Sequence, residues 1–189
     1  MSILDGPFTD GNVLQGGMEY AMRVIALTAP QLDDDTRRIF ELTRDGSTIG
    51  DALGVTKEQK TAMLDLGCRL IQAGQMDKAA DILLRLTQLD PLEERAHYAL
   101  GVICQTRGEL HKAAQLYLLF LALDATNPMG YLRLGECLLA AKEYREAHSA
   151  FNAARKFAEE GKGQPGNLEE ALKMLDVPDI RLAGAAPKQ

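Results

Sequence analysis

The sequence predicts an all-α superhelix of three helix-turn-helix units, with N-terminal helices before it and a C-terminal capping helix after it. Three observations carry that prediction. A fragment recurs as "LGCRLIQAG" from Leu66, "LGVICQTRG" from Leu100 and "LGECLLAAK" from Leu134, each copy 34 residues after the last. Other positions keep the same step: small residues at Ala79, Ala113 and Ala147, large ones at Leu83, Tyr117 and Phe151. Between them, apolar residues fall at helical spacing and are broken by the turns "AGQM" and "RGEL". Such a pattern belongs to helix pairs that cannot bury their apolar faces alone and so stack on one another.

A period of 34 with this pattern is that of the tetratricopeptide repeat. The elements follow in order. Residues 1–16 have no usable period and are expected to be a mobile N-terminus. Residues 17–55 should hold N-terminal helices and a lead-in turn: Met18, Met22 and Ile25 share one helical face, and "DDDTRRIFELTRDG" places acids before bases as the helix dipole prefers. Thr56 and Gln59 form a capping box at the start of the repeats, which span 56–160 with units at about 60–93, 94–127 and 128–160. In the first helix of unit one, Met63, Leu66, Gly67 and Leu70 are expected to face the partner helix. Gly74 and Gly108 suit the left-handed position that ends a helix, a place Lys142 takes less comfortably in unit three. Pro91 closes the second helix of unit one, and Pro128 opens the first helix of unit three. Residues 161–178 read as a linker, "EGKGQPG" nearby, and a capping helix "NLEEALKML" with Asn167 as N-cap and Glu170 at N3. The tail, 179–189, is expected to be mobile.

Composition narrows the function classes. A net charge of −6 without any Lys/Arg-rich run argues against nucleic-acid and anionic-membrane surfaces. "MSILDGPFTD" lacks the features of a secretory signal, and no apolar run is long enough to span a bilayer, so the expectation is a cytoplasmic protein without direct membrane insertion. Cys68, Cys104 and Cys137 sit inside helical patterns and read as reduced thiols. His97, His111 and His148 lack metal-ligand spacing, and His97 reads as a packed core histidine. Cys68 has no basic neighbour one turn away to activate it, and "GKGQPG" lacks the context of a phosphate loop. No catalytic residue, metal site or cofactor is expected.

Drift between the units points to the work. On the first helix of each unit a second stripe runs at i, i+4, i+7: Leu64, Cys68 and Ile71; Tyr98, Val102 and Gln105; Leu132, Glu136 and Leu139. In a stacked array this stripe lines the inside of the curve, the concave surface used for binding. It is mostly apolar, so something should cover it. The occupant is either the N-terminal helices folded back over unit one or a partner segment lying along all three units. About four anchors at ~1.5–3 kcal/mol each, set against the cost of association, give weak to micromolar binding.

The segment "DGSTIGDALGVTKEQKTAMLDLGCRLIQAGQMDKAADILLRLTQLDP", with "HYALGVICQTRGELHKAAQLYLLFLALD" and "YLRLGECLLAAKEYREAHSAFNAARKFA", resembles the class II chaperones of bacterial type III secretion. The resemblance covers about residues 45–160. It implies an ATP-independent cytoplasmic chaperone that holds hydrophobic translocator proteins soluble and secretion-competent, with an extended client segment in the concave groove. Carried over by position, the groove residues are the nine of the inner stripe. Relatives often have aromatics where this chain has Leu64, Cys68 and Ile71, which implies differently shaped pockets. The family also implies dimerisation through the N-terminal helix, for which Met18, Met22 and Ile25 serve as well as for packing within the chain. The alternative is a scaffold or adaptor in a secretion or other multiprotein assembly. One adaptor type grips a carboxylate with Lys and Asn; here the matching places hold Leu64, Cys68, Ala99, Met129 and Arg133, and only Arg133 fits.

Overall fold

The computed structural model describes residues 48–185, which contain nine helices and no strand among the described residues. A short helix α1 (Ile49–Ala52) leads into three antiparallel pairs. These are α2 (Lys57–Gln72) with α3 (Met76–Leu89), α4 (Glu94–Thr106) with α5 (Leu110–Leu123), and α6 (Pro128–Ala140) with α7 (Tyr144–Glu159). Two further helices, α8 (Asn167–Leu175) and α9 (Pro178–Ala185), pack on α7. The array is a tetratricopeptide superhelix, as the period predicts. The N-terminal helical patterns, including Met18, Met22 and Ile25, lie outside the described residues.

The glycine of each repeat is there because a large side chain occupies the space beside it. A Cβ on Gly67 would lie 2.7 Å from Leu83, one on Gly101 2.6 Å from the Tyr117 ring, and one on Gly135 2.5 Å from Phe151. Those three large residues are fully buried, as are Ala79, Ala113 and Ala147. Close approach of two helices and a filled core are therefore one arrangement made three times.

The turns between paired helices are three copies of a Schellman motif. Gly74, Gly108 and Lys142 take φ of 72°, 75° and 64°, and their N–H groups donate to Ile71, Gln105 and Leu139 carbonyls. Lys142 is the one non-glycine among the described residues with positive φ. Helix starts also follow chemistry. Thr56 and Gln59 form the expected reciprocal box, and Asn127 caps α6, which opens on Pro128.

Three expectations need correction. Leu66 does not share the burial of its equivalents: it is 41% exposed, whereas Leu100 and Leu134 are buried in clusters with α3 and α5 side chains. A preceding repeat covers those two, and no repeat precedes Leu66 among the described residues. Asn167 is not the N-cap of α8. Gly166, at φ 100°, takes that place, while the buried Asn167 accepts from the Gln164 N–H and ties down the loop. Finally, 179–185 is helical rather than a mobile tail, with Ile180 fully buried in the core of the third repeat. Second helices start at Met76, Leu110, Tyr144 and Pro178, each 34 apart, so α8 and α9 keep the period and form a shortened fourth unit.

One polar clip holds the front of the stack. Lys60 is buried, and its ammonium donates to Thr48 Oγ1 at 3.0 Å, Asp51 Oδ1 at 2.7 Å and Asp90 Oδ2 at 3.0 Å. Thr48 and Asp51 form a second capping box, at the start of α1. The clip joins α1, α2 and the end of α3.

Candidate functional site

The inner stripe is built by α2, α4 and α6, and its nine residues differ sharply in exposure. Leu64 and Leu132 are buried, at 3% and 0% exposure, and form the floor. Cys68, Ile71, Tyr98, Val102, Gln105, Glu136 and Leu139 are all half-buried. Cys68 and Ile71 pack on the core of repeats one and two, while Tyr98 and Leu139 pack on that of repeats two and three. Tyr98 also meets Tyr117 and Phe120 with ring centroids 5.7 Å and 5.3 Å apart. The stripe thus has apolar ends and a polar middle.

That middle is a connected network across α4, α5 and α6. Tyr117 donates its hydroxyl to Gln105 Oε1 at 2.7 Å, and Gln105 Nε2 donates to Glu136 Oε2 at 2.8 Å. Arg133 Nη1 donates to both Glu136 oxygens at 3.0 and 2.9 Å, and Arg133 Nε donates to Tyr98 Oη at 3.3 Å. Tyr98, Gln105 and Glu136 were expected on the stripe. Tyr117 was expected only as a large packing residue and Arg133 only as a residue fitting a carboxylate clamp; the (i, i+3) spacing of Arg133 to Glu136 was the local sign of their pairing.

The ionisable groups are quiet. Burial, aided by the Glu136 charge, pushes the Cys137 thiol up to about 12. Burial likewise raises Cys68 and Cys104, so all three stay protonated at neutral pH and are poor nucleophiles. His97 is buried; one ring nitrogen, Nε2, lies 2.8 Å from the Pro91 carbonyl and the other has no partner among the described residues, as befits a packed residue and not a ligand. Among the described residues no three His, Cys, Asp or Glu side chains gather in a way that would hold a metal ion, and no helix is long and apolar enough to cross a membrane.

Comparison with known proteins fits this architecture. The family model for the tetratricopeptide repeat matches residues 64–128. A complex of the type III secretion system of Aeromonas hydrophila aligns with a TM-score of 0.68 at 26% identity, over 77% of this chain and 94% of that one. The Pseudomonas aeruginosa protein PcrH, solved with the chaperone-binding region of PopD, aligns with a TM-score of 0.61 at 26% identity over 70% and 96% of the two chains. The Yersinia enterocolitica type III secretion translocator chaperone SycD shares the fold, with a TM-score of 0.62 at 21% identity over 72% and 98%. In fold the chain is similar to these type III secretion proteins. A curated relative of another kind is the type IV pilus assembly protein PilF of Pseudomonas aeruginosa, 33% identical over 91 residues. That match takes in 48% of this chain and spans 36% of PilF's length.

Proposed function

We propose that this chain is an ATP-independent chaperone of a type III secretion system, working in the bacterial cytoplasm. It holds an extended segment of a hydrophobic translocator protein in the concave groove and so keeps that client soluble and competent for export. The observation that carries the reading is the inner stripe itself: half-buried Cys68, Ile71, Val102 and Leu139 over a floor of Leu64 and Leu132. A solvent-facing surface of this composition calls for a cover. In PcrH, which has the same fold, the chaperone-binding region of PopD is bound. No reaction is needed for this task, and no metal or cofactor enters it. The N-terminal face of Met18, Met22 and Ile25 would serve a homodimer.

The test is co-expression with the proteins of the same secretion apparatus, followed by pull-down with wild type and an Ile71→Asp/Leu139→Asp variant. Both positions are half-exposed, so the variant keeps its core, whereas Asp at buried Leu64 or Leu132 would unfold it. Wild type should capture a protein with long apolar segments, and the variant should lose at least tenfold in binding, about 1.4 kcal/mol. Capture of folded apparatus components by both proteins alike would instead support an adaptor. The PilF match favours that second reading, and an open cleft of about 460 Å³ between α3 and α5, lined by Leu84, Leu116 and Leu119, would serve it.

A further inference from the structure

The polar groups of the groove are almost entirely spent on one another. Gln105 uses its carbonyl on Tyr117 and its amide on Glu136. Glu136 receives Gln105 at one oxygen and Arg133 at both. What remains on offer is a set of donors. Arg133 commits Nη1 and Nε, while the two N–H bonds of Nη2 take no partner among the described residues. Tyr98 accepts from Arg133, which leaves its own O–H proton to give. The side chains of Arg133 and Glu136 are 33% and 20% exposed, so the station is open at its edge and held from below.

Charge decides what those donors take. The Glu136 carboxylate neutralises Arg133 through a two-point contact. An incoming carboxylate would meet Glu136 as well as Arg133 and gain little. A main-chain carbonyl, neutral and acceptor-only, suits the free N–H pair without displacing Glu136. Apolar walls on either side, Ile71 and Val102 before the station and Leu139 after it, demand apolar side chains from the same segment.

We propose that Arg133, fixed by Glu136 and Tyr98, is a main-chain-reading station at the centre of the groove that selects an extended, uncharged peptide segment and rejects acidic residues there. This rests on the groove reading above and adds the chemical class of the segment to it. Backbone carbonyls are common to all peptides, so such a station reads the extended conformation of a segment and not its sequence.

A phage-displayed library of random 12-residue peptides, selected on the full-length protein, tests both layers. Selected peptides are synthesised, and their affinities are measured by fluorescence anisotropy for wild type, Ile71→Asp, Arg133→Met and Arg133→Met/Glu136→Gln. The double variant removes the Arg133 donors without leaving the Glu136 charge unpaired, and far-ultraviolet circular dichroism checks that each variant is folded. The expected result is a set of peptides uncharged at their centre. They should bind both Arg133 variants about tenfold more weakly, the scale of one hydrogen bond to a charged group. Placing Asp at the centre of such a peptide should weaken binding to wild type by a similar factor. Affinity within twofold of wild type for the double variant, with loss in Ile71→Asp, would overturn the station and leave the groove standing. Peptides that bind Ile71→Asp unchanged, or no selected peptide at all, would overturn the groove reading and the station with it.

Discussion

At Lys142 the chain carries a lysine where its two equivalents carry Gly74 and Gly108, and the backbone is the same at all three, with φ of 64°, 72° and 75°. A side chain in the left-handed region costs about 1–2 kcal/mol, part of which a glycine gives back through its freer unfolded state. Lys142→Gly should therefore stabilise the protein by about 0.5–1 kcal/mol, read as a rise in Tm of about 2 °C. Lys142 is exposed, so no packing changes with it. Gly101 makes the opposite case. Its missing Cβ leaves room for a Tyr117 ring that is fully buried and whose hydroxyl is bonded to Gln105. Gly101→Ala should cost about 1–3 kcal/mol, the scale of overpacking, seen as a lower denaturation midpoint with unchanged slope. Both expectations start from residues whose meaning was readable in the sequence, because the period set a glycine beside each of them for comparison.

At the scale of elements, helix α1 shows how little local propensity is needed when a side chain clips the element in place. Four residues do not hold a helix in water. Here the Thr48–Asp51 box closes its start, and Lys60 ties it to Asp90 at the end of α3. The Lys60 hydrogen bond, then those from Thr48, lowers the Asp51 carboxyl to about 2. For Lys60, burial works against the charge, and the bonds to Asp51 and Asp90 outweigh it, so its pKa is raised. A depressed acid stabilises above its unfolded pKa, about 3.9, and loses that contribution as pH falls through 2. A raised base contributes below its unfolded pKa, about 10.4, and loses that at still higher pH. The clip should thus hold from about pH 4 to 10. The amide resonances of Ile49–Leu53 should shift together below pH 4, and Lys60→Met should abolish that shared shift while α4–α7 keep their spectra. The Thr48–Asp51 box is a local pattern of three-residue spacing, but the Lys60–Asp90 link was not legible beforehand, since the two are 30 residues apart and only the fold joins them. The groove divides in the same way. Its apolar stripe is visible from i, i+4, i+7 spacing on one helix, whereas the Arg133 station depends on the distance between α4 and α6, which no local pattern carries. The shortened fourth unit is hidden in the sequence for a different reason. Its glycine place holds Glu169 and its helix α8 begins late, after a loop, so the period survives only in the start of α9.

At the scale of the whole molecule, a stack in which each unit touches only its neighbours should respond to damage locally. The fourth unit packs on the third repeat. Ala171 and Ile180 are fully buried against the core that also holds Leu132, Leu138 and Phe151, so α8 and α9 complete the wall behind the third stretch of the groove. Ile180→Ala removes buried carbons from that wall and should cost about 2–4 kcal/mol. In a nearest-neighbour array the loss would not spread evenly. Amide exchange should quicken first in α9, α8 and α7, next in α6, and least in α2 and α3, which share no core with Ile180. The same variant should weaken a groove ligand that reaches Leu139 more than one confined to Cys68 and Ile71. Exchange that quickens by one factor throughout would mean that the units unfold as a single body, with the polar bridge from Gln105 to Glu136 strong enough to couple the two cores. Graded exchange would place the weak end of the molecule at its C-terminus. The stability of the groove at repeat three would then be set by two helices outside the three that carry the inner stripe.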